Sequence, residues 1–139
     1  MNVYEIPVRP ASARYFLDLP GYGYARASQA ERAAFRRLVT YALRRPGLTG
    51  VIWLLDIRHE PSKEDRVMQD LLAETEARVL AVLTKGDKLR PEERRRRGAA
   101  LQASLGVDDD QIIVTSAKHG EGISDLRDAI AGLTGSSAA

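Results

Sequence analysis

Apolar and polar positions follow two rhythms along this chain. Residues 2–8 and 14–19 are short and β-prone, and the turn-rich Pro10-Ala11-Ser12 between them predicts an antiparallel hairpin. Ser28-Gln29-Ala30-Glu31 then has the spacing of a capping box, and Phe35, Leu38, Val39, Ala42 and Leu43 follow on one helical face. Pro46-Gly47 stops that helix. Residues 51–56 form a continuous apolar run ending in an acid, and residues 79–83 form a second apolar run. Both suit buried strands of a parallel sheet. Between them, residues 62–77 predict a helix that opens on Ser62 after Pro61 and carries acids in its first turn. Pro91 fits the first position of a helix running to about Leu105, with Gly106 as its stop. Residues 111–115 read as a last strand and 124–133 as a last helix. The order ββαβαβαβα predicts an α/β fold, a mostly parallel sheet covered by helices behind an antiparallel N-terminal hairpin.

Composition narrows the class. The 139 residues are 44% hydrophobic and 29% charged, which fits one soluble domain over residues 1–134 with 135–139 (GSSAA) as a flexible tail. No apolar run has the length of a membrane span, and the N-terminus lacks the layout of a signal peptide. The chain has no cysteine, which excludes disulfide and thiol chemistry. A cytoplasmic protein without a membrane partner is expected. The net charge of +2 and pI near 9.1 fall short of a dedicated DNA-binding domain, so no DNA partner is expected. The basic excess is local: Arg90 and Arg94 to Arg97 stand against Glu92 and Glu93. This stretch reads either as a solvated helix face or as a contact to RNA phosphates. No aromatic residue interleaves with it, which argues against base stacking there.

In sheets of this kind ligands bind beyond the carboxyl ends of the strands, and three motifs fall at such ends. Asp18-Leu19-Pro20-Gly21 offers an acid that can hold a magnesium ion through water, and a glycine that lets a backbone N–H approach a terminal phosphate. Alone, it is equally a plain turn. Thr84-Lys85-Gly86-Asp87 follows the apolar run 79–83. Its carboxylate can accept from both N1–H and the 2-amino group of guanine, a donor pair that adenine lacks. The Lys85 stem can pack along the base plane. Thr115-Ser116-Ala117-Lys118 follows the last strand, where a backbone N–H can donate to guanine O6 and the Lys118 stem can cover the other base face. Each motif alone is weak. Their joint occurrence, in this order and each at a strand end, points to a guanine site. His59 has no second His or Cys at ligand spacing and reads as structural or partner-facing, and Trp53 reads as core.

With these residues in view, the chain resembles the EngB (YihA/YsxC) family of bacterial GTPases. The resemblance is carried by DLPGYGYA (18–25), Asp56-Ile57-Arg58-His59-Glu60-Pro61, TKGDK (84–88) and TSAKHGEGI (115–123), and extends over residues 2–133. It implies a Ras-like P-loop fold, GTP and GDP binding with Mg2+, slow hydrolysis, and a role in assembly of the large ribosomal subunit linked to cell division and septation. It assigns Asp18 and Gly21 to magnesium and the γ-phosphate, Thr84, Lys85 and Asp87 to guanine, and Ser116 and Ala117 to closing the base pocket. Tyr22 stands where Ras-like enzymes place a water-orienting glutamine, and a phenol there is a poor substitute. No catalytic residue is assigned.

The family's phosphate loop, G-x-x-x-x-G-K-[ST], does not occur in the 139 residues, which contain no Gly-Lys dipeptide. The strand before that loop, the helix after it and the switch threonine are expected upstream of Asn2, so Met1 reads as an internal start, a misassigned start codon or the start of a truncated gene. Charge-assisted hydrogen bonds contribute about 1.5–3 kcal/mol each, and a nanomolar site has only about 12 kcal/mol in all. Very weak nucleotide binding by these residues is therefore expected. Without the central strand, residues 14–19 and 51–56 would be exposed sheet edges or would pair with each other directly. Three readings remain open: a GTPase of the EngB type, a nucleotide-independent ribosome- or RNA-binding module, and a fragment without function.

Overall fold

A computed structural model describes residues 1–7, 13–21 and 27–135. The turn at Pro10-Ala11-Ser12, the residue Tyr22 and residues 136–139 of the tail lie outside the described residues. Contacts divide the chain into two units, Met1–Pro46 and Gly47–Ala139.

In the first unit, β1 (Asn2–Ile6) pairs antiparallel with β2 (Arg14–Asp18), with Asn2 opposite Asp18 and Ile6 opposite Arg14. Helix α1 (Gln29–Leu43) is capped by Ser28, whose hydroxyl accepts from the Glu31 N–H at 3.1 Å. Its apolar face is the predicted one, with Val39 and Ala42 buried.

The second unit is a three-stranded parallel sheet in the order β3-β4-β5, where β3 is Gly50–Asp56, β4 is Arg78–Thr84 and β5 is Ile112–Val114. The strand β4 is hydrogen-bonded on both sides, and Leu80, Ala81, Val82 and Leu83 are all buried. That explains its uninterrupted apolar sequence, since both faces of a parallel strand are covered. Trp53 and Leu55 of β3 are core residues. Among the described residues β3 is paired along one edge only, and Leu54 is 60% exposed. The direct pairing of residues 14–19 with 51–56 is not adopted: β2 pairs with β1 and β3 with β4, in separate sheets.

Three helices connect and follow these strands. Helix α2 (Lys63–Ala73) begins in a full capping box, with the Ser62 hydroxyl accepting from the Asp65 N–H and the Asp65 carboxylate from the Ser62 N–H. It ends four residues earlier than the sequence pattern predicts. The cause is local: the Thr75 hydroxyl accepts from the Ala77 N–H at 3.2 Å and turns the chain into β4. Helix α3 (Pro91–Leu105) starts on proline and stops at Gly106, whose φ of 65° is left-handed. A turn over Asp109–Gln111, closed by reciprocal bonds between Asp108 and Gln111, takes the first residue of the predicted last strand. Helix α4 (Ile123–Leu133) returns across the sheet, and Leu133 reaches Gly50 so closely that a Cβ there would lie 2.8 Å from Leu133 Cδ1.

Leu83 is fully buried at the centre of this sheet. Leu83→Ala should destabilise the chain by about 2–5 kcal/mol, whereas Leu54→Ala should change stability by about 0.5 kcal/mol or less. Urea denaturation of the two variants checks both values.

Candidate functional site

The carboxyl ends of β3, β4 and β5 bring together three loops. Strand β4 ends at Thr84, whose hydroxyl donates to Leu55 O at 3.3 Å and whose carbonyl accepts from the Ile57 N–H at 3.1 Å. Lys85 then takes φ 61° and ψ 34°, the one left-handed non-glycine residue among those described. A residue with a Cβ pays about 1–2 kcal/mol for this conformation. The turn is held by Gly86, whose N–H donates to Thr115 O at 3.0 Å. Gly86 is buried, and a Cβ there would lie 3.1 Å from both Thr115 O and Val114 Cγ1. The backbone of the β4 loop thus lies directly on the β5 loop.

This arrangement joins Asp87 to Ser116. The Ser116 hydroxyl, fully buried, donates to Asp87 Oδ1 at 3.0 Å and accepts from the His119 N–H at 3.2 Å. The Ser116 N–H donates to Glu121 O at 2.9 Å, and Ser116 O accepts from the Gly120 N–H at 2.8 Å. Every polar group of Ser116 is therefore committed to shaping the loop. Partial burial pushes the Asp87 carboxyl up. The Ser116 hydroxyl, the residue's own N–H, and the charges of Lys88 and His119 outweigh it and hold the group below its ordinary range. Asp87 is thus an anion with acceptor capacity left over, since a carboxylate has about four lone-pair sites. Ala117 and Lys118 are exposed at the same loop. The sequence motifs 84–87 and 115–118 are brought together as one site.

The third loop contributes a part that the motif reading did not assign. Asp56, at the end of β3, receives Arg58 Nε at 3.0 Å, Arg58 Nη2 at 2.8 Å and the Arg58 N–H at 2.9 Å. Lys85 Nζ lies 3.4 Å from Asp56 Oδ2. The Arg58 guanidinium holds the Asp56 carboxyl well below the usual carboxylate range, against the opposing effect of partial burial, with the Arg58 N–H and Lys85 adding to it. His59 is exposed, 3.8 Å from the same carboxylate. Among the described residues no group of three or more His, Cys, Asp or Glu side chains could hold a metal.

Two arginines of α3 complete the frame. Arg94 pairs with Glu121, and its stem passes 3.6 Å from where a Gly86 Cβ would stand. Arg97 donates to Glu60 Oε1 at 2.6 Å and to Ile57 O at 3.3 Å. The basic stretch is therefore split, with Arg94 and Arg97 spent on loops and Arg90, Arg95 and Arg96 exposed. The sequence held a signal for this. Arg94 and Arg97 share helical spacing with the buried Leu101 and Leu105, at i, i+3, i+7 and i+11. A cleft of about 410 Å3 between α3 and β5 is lined by Leu83, Gly98, Ile112 and Val114, and none of the motif residues 84–87 or 115–118 lines it.

Asp18 lies at the exposed end of β2 in the first unit, followed by Leu19, Pro20 and Gly21. The remainder of its motif, from Tyr22, lies outside the described residues. One carboxylate is too few for a protein-built metal cage. It would suit only a magnesium ion that keeps most of its waters.

Two variants probe the frame. Gly122 has φ 73°, and a Cβ there would lie 2.1 Å from Val114 O, so Gly122→Ala should displace the 116–122 loop and lower the melting temperature in a thermal scan. Asp56 has a lowered carboxyl pKa in the folded chain. Its stabilising contribution is fully present above the unfolded value of about 4 and is lost as pH falls through the folded value. The stability gap between the native chain and Asp56→Asn should therefore be constant from about pH 5 to 8 and close only in strong acid. Urea titrations across that range measure it.

No family model matches the sequence. A protein of Gemmatimonas aurantiaca named "Probable GTP-binding protein EngB" is 44% identical over 114 residues, covering 81% of this chain and 56% of its own length. A protein of the same name from Syntrophomonas wolfei is 42% identical over 120 residues, covering 86% of this chain and 62% of its own. A solved structure described as "Crystal structure of a probable GTP-binding protein engB" superposes with a TM-score of 0.76 at 17% identity, over 95% of this chain and 81% of that one. That likeness establishes the α/β GTPase fold, with its parallel sheet and separate hairpin. The chain spans about three fifths of the length of these curated relatives. The sequence match and the fold agree in relating this chain to the proteins named EngB.

Proposed function

We propose that this chain supplies the base-reading part of a site for GTP and GDP. The observation that carries the reading is the Asp87 carboxylate, anionic and fixed by the buried Ser116 hydroxyl at the ends of two neighbouring parallel strands. Its remaining acceptor sites accept N1–H and the 2-amino group of guanine. An adenine in the same place would leave the acid unpaired. The Ser116 N–H is already committed to Glu121, so guanine O6 takes its donor from the Ala117 amide. Lys85 and Lys118 cover the two faces of the base with their stems. Thr84, Gly86 and Thr115 hold the loops in register.

In the same reading, Asp18 holds Mg2+ through water, and Leu19, Pro20 and Gly21 carry a backbone N–H to the γ-phosphate. The magnesium would neutralise phosphate charge when bound. The 139 residues contain no G-x-x-x-x-G-K-[ST] loop, so the phosphates find few donors here and binding by these residues alone is weak. The family resemblance supports slow GTP hydrolysis by a whole protein of this type, a cytoplasmic location, and a role with the large ribosomal subunit and in cell division. A second reading, nucleotide-independent contact with ribosomal RNA, is supported by the exposed Arg90 just before α3 and the exposed Arg95 and Arg96 on it.

Because the phosphate contribution is small, the base is best tested with monophosphates. GMP at millimolar concentration should shift the amide resonances of Lys85, Gly86, Asp87 and Ala117, and AMP should not. Asp87→Asn should weaken GMP by about tenfold or more and favour xanthosine monophosphate, because an amide can donate to the 2-oxo group where the acid only accepts. Unchanged base preference in the variant would refute the placement of the pocket.

A further inference from the structure

We propose that Arg97 of α3 is a positioning residue for guanine recognition, holding the β3 loop so that Asp56 fixes Lys85. The proposal rests on the base-reading assignment above and names a part that the motifs do not contain. Arg97 has no path to the base itself. It acts on Ile57, whose side chain is fully buried and whose backbone is fastened at both ends: the N–H donates to Thr84 O at 3.1 Å, and the carbonyl accepts from Arg97 Nε at 3.3 Å. Three residues on, Glu60 receives Arg97 Nη1 at 2.6 Å. The loop is thus pinned to β4 on one side and to α3 on the other. The residues immediately beside Ile57 are Asp56 and Arg58, which clamp each other, and Asp56 is the carboxylate 3.4 Å from Lys85 Nζ.

The chemistry of Arg97 argues against an incidental surface pair. Exposed ion pairs contribute little because both partners stay solvated. Here the arginine side chain is 23% exposed and its Nη2 is buried without a hydrogen-bond partner, so desolvation of the cation is only partly offset. A planar fork reaching a carbonyl and a carboxylate at once is what a lysine could not reproduce. Lys85 also needs an outside hold. It sits in a left-handed backbone conformation, and its long stem has several rotamers to lose before it can lie along a base. Asp56 supplies that hold only if its own loop is fixed.

The test uses the 15N-labelled chain and four variants: Arg97→Gln, Arg97→Lys, Glu60→Ala and, as a stability control on the same helix face, Leu101→Ala. Hydrogen exchange at Ile57, His59 and Gly86 is read alongside titrations with GMP and AMP. Arg97→Gln should speed exchange at Ile57 and His59 by about tenfold and weaken GMP by about three- to tenfold, with Arg97→Lys between it and the native chain. Glu60 is exposed, so Glu60→Ala will fold and should show the same effects at smaller size. The inference is overturned if Arg97→Gln or Glu60→Ala leaves loop exchange and the GMP response unchanged. It is equally overturned if Leu101→Ala reproduces the GMP loss at matched stability. Should Arg97→Gln not fold, Glu60→Ala decides on the same criteria. A native chain that fails to prefer GMP over AMP refutes the base-reading assignment before any variant is made, and this inference with it.

Discussion

The pairing of β4 on both of its edges is the constraint on which the second unit depends. Its ladder with β3 sets Asp56 opposite Thr84, and its ladder with β5 sets Leu83 opposite Val114. Because parallel strands point the same way, all three chains leave the sheet on one side, and their loops meet there without any further device. A shift of one residue in either ladder would exchange the two covered faces of β4 and misplace every side chain packed on them. Four consecutive buried apolar residues, Leu80 to Leu83, make such a shift costly and so fix the distance between the loops.

Polar groups then refine what the ladders set roughly. Gly86 lets one loop rest on the other, and Ser116 spends its hydroxyl on Asp87 and His119 and its amide and carbonyl on Glu121 and Gly120 of its own loop. A buried hydroxyl with all its bonds made is rigid, and a carboxylate leaning on it needs little reorganisation to meet a ligand. Around the other side, Asp56 gathers Arg58 and Lys85. The two carboxylates divide the work: Asp87 retains capacity for an outside donor, while Asp56 is saturated by the chain's own cations.

Much of this was legible in the sequence. The continuous apolar runs named β3 and β4, the caps at Ser28, Ser62 and Gly106 placed three helix ends, and motif position at strand ends located Asp87 and Ser116. What escaped was set by side chains reaching across the fold. The early end of α2 turns on one Thr75 hydroxyl. The Asp56–Lys85 contact joins residues 29 apart in sequence, and no local pattern announces it. The arginines from Arg90 to Arg97 form one patch when charge is counted along the chain. Helical spacing relative to Leu101 and Leu105 separates the inward pair from the outward three.

The bond between Ser116 and Asp87 also imposes an order of events in time. The partners are 29 residues apart, with the whole of α3 and β5 between them. A chain emerging from synthesis presents the Asp87 carboxylate well before the hydroxyl that steadies it exists. Contacts between distant residues form late because the intervening loop must first be closed. The Asp87 loop therefore matures only when the residues following β5 have arrived, so a nascent chain passes through a stage with its sheet begun and the joined loops still unformed.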